Sequence, residues 1–132
     1  MALELGLHSN SRQWRISANA IEERNRIFWT AFAIETTLAY NLGRPPSISE
    51  DFVSADLPLL TGETALALRH IEHRRIQSSI VGSVYCLTPR TRSLPPQERM
   101  QIIAQIQERL DEWMSSLHEA WPSLSDSAYP LR

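Results

Sequence analysis

The sequence predicts an all-α protein, an irregular helical bundle, and three observations carry that prediction. Three segments of helix length repeat their apolar residues at a period near 3.6. Two proline-containing connections, 43–62 and 88–96, divide them. Stretches with the alternation of a strand are scarce. A chain of 132 residues, 42% hydrophobic and 21% charged, is long enough to bury one core and reads as a single domain.

Taken in order, residues 2–7 form a short stub that reads as the end of a helix. The first long helix is predicted over 20–42. Glu22, Glu23, Arg24 and Arg26 charge its opening turns, and early acids suit the positive end of the helix dipole. From Ile27 onward Phe28, Ala31, Phe32, Ile34, Leu38 and Leu42 wrap a wide arc, with Trp29, Ala33 and Tyr40 on the remaining side. A helix apolar nearly all round has to be covered on several sides, so this is the central helix. Gly43 supplies its stop and Pro45-Pro46 forbids continuation. The connection that follows is long for a structureless loop, and Phe52, Val53, Leu57, Leu59 and Leu60 predict that it packs over the core as extended chain.

A second helix is predicted over 63–87, capped by Thr61 or Gly62. Leu66, Ile76, Ile80, Val81, Val84 and Leu87 share a stripe with His70 and His73. The third helix, over 97–117, groups Ile102, Ile103, Ile106, Leu110, Trp113, Met114 and Leu117 on one face, with Gln101, Gln105, Glu108, Glu112 and Ser115 opposite. After Trp121-Pro122, residues 123–132 read as an irregular tail.

Several chemistries lose support from composition. A formal net charge of −2 gives no broad basic field for phosphates. No apolar run approaches a bilayer span, and the first residues lack a secretory signal, so a soluble intracellular protein is expected. The single cysteine, Cys86, leaves no internal disulfide and reads as a buried thiol. His70 and His73 at i, i+3 have metal-ligand spacing but no companion Cys or carboxylate on their face, so structural histidines are the better reading. Arg69, Arg74 and Arg75 beside them scatter around the helix and form no basic stripe. No carboxylate pair, nucleophile–base set or glycine-rich phosphate loop stands out, and no enzymatic activity is expected. Ser47-x-x-Glu50 fits a capping box. Glu35 sits mid-helix among Phe32, Ile34 and Leu38 and needs a partner if buried, for which Arg44 or an arginine of another helix is the candidate.

The residues now reached resemble a known pattern. Leu5-Gly6-Leu7-His8, then Glu23-Arg24-x-Arg26-x-Phe28-Trp29, then Leu42-Gly43-Arg44-Pro45-Pro46, then Asp56-Leu57-Pro58 are similar to the middle homology region of fungal zinc-cluster transcription factors. Glu35, eight positions before Gly43, matches that family's acidic position. The resemblance spans 3–58 and becomes looser beyond Pro58, where Leu110-Asp-Glu-Trp113 is similar to the family's continuation.

It implies that residues 1–122 are part of a larger all-helical regulatory domain of a nuclear, DNA-binding regulator of metabolic or stress-response genes. In that family a six-cysteine zinc cluster, N-terminal to this region, contacts DNA. Those cysteines are absent from these residues, so zinc and DNA binding are expected of the parent and not of this chain. Expected partners are other regions of the parent, a coregulator or a small-molecule effector, with no membrane. The alternatives are a stand-alone helical interaction module or a non-functional truncated remnant. Trp29, Phe32, Glu35 and Arg44 are the positions expected to matter most, with core packing favoured over ligand contact.

Overall fold

Ser17 opens the first helix in extended backbone and accepts a hydrogen bond from the Ala20 N–H at 3.2 Å, an N-cap one residue before the helical stretch. The structure, a computed structural model, describes residues 3–10, 15–85 and 92–128, with side chains described as far as 119. Among the described residues there are three α-helices and no strand: α1 (Ala18–Asn41), α2 (Ala65–Ile80) and α3 (Pro96–Ala128). The predicted all-α class holds. A single 3-10 turn, Glu50–Phe52, interrupts the connection between α1 and α2, and a π-helical segment, Val81–Tyr85, continues α2. α2 is the middle layer, packed against α1 on one side and α3 on the other. Cys86, Leu87 and residues 88–91 of the 88–96 connection lie outside the described residues.

α1 ends as its glycine predicts. Gly43 has φ +62°, its N–H reaches the Tyr40 carbonyl at 3.2 Å, and the Arg44 N–H reaches Ala39 at 3.0 Å. That pair of bonds satisfies two carbonyls the helix end would otherwise leave open. The buried residues Asn25, Phe28, Trp29, Phe32, Ala33, Thr36 and Ala39 span an arc of about 140° at 3.6 residues per turn. Cover on several sides is therefore not what this chain gives α1. Ile27, Ile34 and Leu38 face the other way and are about half exposed, because α2 and the connection supply only one covering layer.

The connection does pack on the core, but through different residues than its hydrophobicity predicts. Ile48, Ala55 and Pro58 are buried and Val53 is half-buried, whereas Phe52, Leu57, Leu59 and Leu60 point outward. Their main chain is held by polar groups of α1, described below, and those fixed points decide which side chains turn inward. The central cluster joins Leu7, Phe28, Trp29, Phe32, Ile48, Ala55 and Ile71. Burial of a large apolar side chain stabilises by roughly 1.5–3 kcal/mol, so the aromatic trio of α1 carries much of this core.

α2 begins at Ala65, two residues later than predicted. Thr61 and Thr64 exchange hydrogen bonds between main chain and hydroxyl, at 2.8 and 3.2 Å, and close the turn ahead of it. Its buried residues are Ile71, Ile76 and Ser78, with Val81 beyond, while Leu66 and Val84 of the predicted stripe are exposed. Two neighbours on different sides replace one stripe, and the wider turns of the π segment rotate later residues out of α-helical register.

Pro96 starts α3 at a position where its missing N–H costs nothing. The predicted face divides in two: Ile102, Ile106, Leu110, Trp113 and Leu117 are partly buried, and Ile103 and Met114 remain exposed. The irregular tail expected from residue 123 is corrected for 123–128, because α3 continues past Pro122 to Ala128. A proline removes one N–H and crowds the preceding turn, which can kink a long helix without ending it.

Candidate functional site

Two carboxylates on α1 accept hydrogen bonds from main-chain N–H groups of the connection. Glu22 and Glu35 sit at opposite edges of the buried arc. Glu35 Oε1 accepts from the Ser47 N–H at 2.8 Å, and Glu22 accepts from the Leu59 N–H at 3.1 Å while also binding Arg26 Nε at 2.9 Å. Between them, Trp29 donates its indole N–H to the Asp56 carbonyl at 2.9 Å. Three side chains of one helix thus hold the connection at three points along its length.

The N-terminal turn is attached to the same assembly. Gly6, at φ +64°, lets residues 3–9 double back, and Leu7 enters the core. The His8 carbonyl accepts the N–H groups of both Ser54 and Ala55 at 2.9 Å. Arg24 Nη2 reaches the Gly6 carbonyl at 3.4 Å. Trp29 is the hub: its ring meets Phe28 and Phe32 edge-on at 5.2 and 5.3 Å. The Arg75 guanidinium lies over it at 5.6 Å and donates Nε to Glu50 at 2.6 Å. A cation on an indole face, closed by a carboxylate from the 3-10 turn, joins α1, the connection and α2.

This places the sequence-predicted residues. Leu7, Phe28, Trp29, Phe32 and Pro58 are buried together, and Gly6, Gly43, His8, Arg24, Glu35 and Asp56 hold the turns around them. Leu5, Glu23, Arg44 and Pro45 are exposed, and Pro46 is half-buried. The expected Glu35–Arg44 pair is corrected: Glu35 takes a main-chain N–H, and no arginine pairs with it among the described residues. Its second oxygen is buried without a hydrogen-bond partner among the described residues. Ser47-x-x-Glu50 is likewise not a capping box: Ser47 serves through its N–H, and Glu50 takes Arg75. Glu22, Glu50 and Arg75 were not singled out for these roles. Glu22 had one signal, its position seven residues before Trp29 on the same helical face.

Of the two histidines of α2, His73 belongs to the α2–α3 contact, and exposed His70 accepts from Arg74 Nε at 3.4 Å on its own helix. His73 stacks on Trp113 at 4.8 Å, and the Trp113 indole donates to the Arg69 carbonyl at 2.9 Å. Arg69 in turn donates to Ser116 Oγ at 2.9 Å. Burial, and then the nearby Arg74 charge, hold both His70 and His73 below the usual imidazole range; His70 adds to the effect on His73. Among the described residues no group of three or more His, Cys, Asp or Glu side chains is placed to hold a metal ion.

Where α2 and α3 diverge, an open cleft of about 1340 Å³ lies between them and the 45–51 stretch. Arg75, Ser79, Gly82 and Ser83 line it from α2 and the π segment, Gln101, Gln105 and Arg109 from α3, and Glu50 from the 3-10 turn. Among the described residues no histidine or cysteine lines it, and the residues that do line it offer hydrogen bonds and charge. Arg109 donates to Ser79 Oγ across it at 3.2 Å. No helix among the described residues is long and apolar enough to cross a membrane.

Residues 1–64, which contain α1, the N-terminal turn and the whole connection, match the family described as the fungal specific transcription factor domain. The chain is similar to the thiamine repressible genes regulatory protein thi1 of Schizosaccharomyces pombe, 27% identical over 128 residues, covering 90% of this chain and 16% of that protein. It is similar to the negative regulator of pleiotropic drug resistance STB5 of Candida glabrata, 25% identical over 120 residues, covering 85% of this chain and 12% of that protein. The transcriptional activator protein acu-15 of Neurospora crassa is 28% identical over 78 residues, 59% of this chain and 8% of that protein. The chain therefore spans less than a fifth of the length of these curated relatives. No solved structure matches it.

Proposed function

We propose that this chain is part of the helical regulatory region of a fungal zinc-cluster transcription regulator, a reading supported by the match of residues 1–64 to the fungal specific transcription factor domain. The observation that carries the reading is the coincidence of two sets: the residues of the family-like pattern are largely those that fasten the connection and N-terminal turn to α1. A region built in this way acts by contact. It presents surfaces to other parts of the parent protein or to a coregulator. We place the effector contact, where one exists, in the polar cleft between α2 and α3. The parent works in the nucleus and touches DNA through a zinc cluster supplied outside these residues.

The test is a reporter assay in a fungal host, with the chain inserted between a heterologous DNA-binding domain and an activation domain. Reporter output should change several-fold, and Trp29→Ala, which opens the core, should return it to the level without the insert. Unchanged output with the intact chain would overturn the reading. In a mobility-shift assay the isolated chain should leave duplex DNA unshifted at physiological salt, in keeping with its net charge of −2.

The second reading, a stand-alone interaction module, is favoured by one observation: Ile27, Ile34 and Leu38 leave an apolar strip on α1 open to solvent.

A further inference from the structure

The helix faces that bound the cleft between α2 and α3 are polar, where facing helices are usually apolar. On α3, Glu98, Gln101, Gln105 and Arg109 follow steps of three and four, one stripe of the helix, and Arg75, Ser79 and Gly82 line the cleft opposite them. Gly82 puts no side chain into the gap, and an added Cβ there would meet nothing within 4 Å. The charge of the lining is unbalanced. Four carboxylates, Glu50, Asp51, Glu72 and Glu98, stand against two guanidiniums. Both guanidiniums are engaged, Arg75 with Glu50 and the Trp29 ring and Arg109 with Ser79 Oγ. Glu72 has Arg69 at 3.5 Å, while Asp51 and Glu98 are exposed and make no side-chain bond among the described residues. A second observation is independent of charge. Ser78 is 8% exposed and lines the cleft, and its hydroxyl has no hydrogen-bond partner among the described residues. Thr36 Oγ1 also lacks a partner but is sealed in the core; Ser78 Oγ is not sealed, and the cleft is the space it borders. A hydroxyl held this deep costs stability unless something bonds to it.

From the surplus of acid and the open hydroxyl we propose that the cleft takes a small aliphatic polyamine. Its carboxylates do not converge, since among the described residues no group of three or more His, Cys, Asp or Glu side chains is placed to hold a metal ion. One compact cation therefore cannot serve them together, whereas ammonium groups separated by methylenes can. Pro46, Leu94 and Ile102, also in the lining, give those methylenes apolar contact. The Ser78 hydroxyl and the Gln101 and Gln105 amide oxygens accept hydrogen bonds from the amine N–H groups. An anion finds no guanidinium free to receive it. This ligand class rests on the cleft being the effector contact. The reporter assay tests the regulatory role and the titration below tests the ligand, so each can fail alone.

The experiment is isothermal titration calorimetry of the full chain with spermidine in about 0.15 M salt, with adipate as an anion of similar length and a capped tetralysine peptide as a cation of protein type. Spermidine should bind saturably, one molecule per chain, and adipate should give no heat beyond dilution. Asp51→Asn with Glu98→Gln should weaken spermidine at least about tenfold, and Ser78→Ala about threefold. Glu23→Gln with Glu63→Gln removes the same charge outside the cleft and should leave the affinity unchanged. These four acids are exposed, and matching thermal melts show that every variant folds. Spermidine that does not bind saturably, or adipate that binds as well, overturns the proposal. Equal weakening by the two acid pairs, or none by Ser78→Ala, overturns it too, because binding would then follow net charge and not the cleft. So does tighter binding of the peptide than of spermidine, which would assign the cleft to a protein partner.

Discussion

Replacing Trp29 by Phe keeps an aromatic ring in the core and removes the indole N–H that the Asp56 carbonyl accepts. We expect a loss of about 1 kcal/mol in urea denaturation, and Trp29→Ala to cost roughly 3–5 kcal/mol because a cavity is added. Glu35→Ala should cost about 1 kcal/mol by freeing the Ser47 N–H, whereas Arg44→Ala should stay within about 0.5 kcal/mol. Equal losses for the two would restore the ion pair that the sequence favours. The sequence made Glu35 legible as a group in need of a partner, but not which one. A carboxylate is satisfied as well by a main-chain N–H as by an arginine, and the main chain leaves no trace in residue type. His73 gives a pH dependence whose sign is fixed. Its folded pKa lies below the ordinary 6.5, so the unfolded chain takes up the proton first. Stability from this group is complete above about pH 6.5 and falls as pH drops through the window between 6.5 and the lowered value. Thermal melts between pH 7.5 and 5 should show that decline, and His73→Phe, which keeps a ring on Trp113, should flatten it.

At the level of elements, the helices were legible wherever backbone chemistry is local. Gly43, Pro45 and Pro96 mark ends that the fold respects, because φ limits and missing N–H groups act without regard to neighbours. Gly43→Ala should destabilise by about 1–2 kcal/mol although nothing stands within 4 Å of the added Cβ. That cost is the left-handed backbone alone, and Gly43→Asn should recover part of it in the same melt. What periodicity could not give was the division of α3. A helical period says that Ile102, Ile103, Ile106 and Met114 share a broad side, but not that α2 reaches only part of it. The π segment at Val81–Tyr85 had no sequence signal either, and it displaced the predicted stripe of α2.

The molecule as a whole is a three-layer stack with its middle helix covered and its outer helices each bare along one side. The apolar strip of α1 should bind an environment-sensitive dye, and Ile27→Glu with Ile34→Glu should lower that signal while leaving the melting temperature nearly unchanged. A large drop in melting temperature would mean that these side chains are packed in solution. The all-round apolar character of α1 was legible in the sequence. Which arc is filled was not, because the filling comes from residues far along the chain, Ile48, Ala55 and Ile71.

One consequence concerns the connection between α1 and α2. Glu22, Trp29 and Glu35 grip it at Leu59, Asp56 and Ser47 only by peptide N–H and C=O groups, which every residue but proline offers in full. The grip therefore reads position along the chain and is blind to side-chain identity. Ser47, Asp56 and Leu59 can drift to almost any residue with these three bonds intact, yet a proline at 47 or 59 or a one-residue deletion between them would misalign the whole strap.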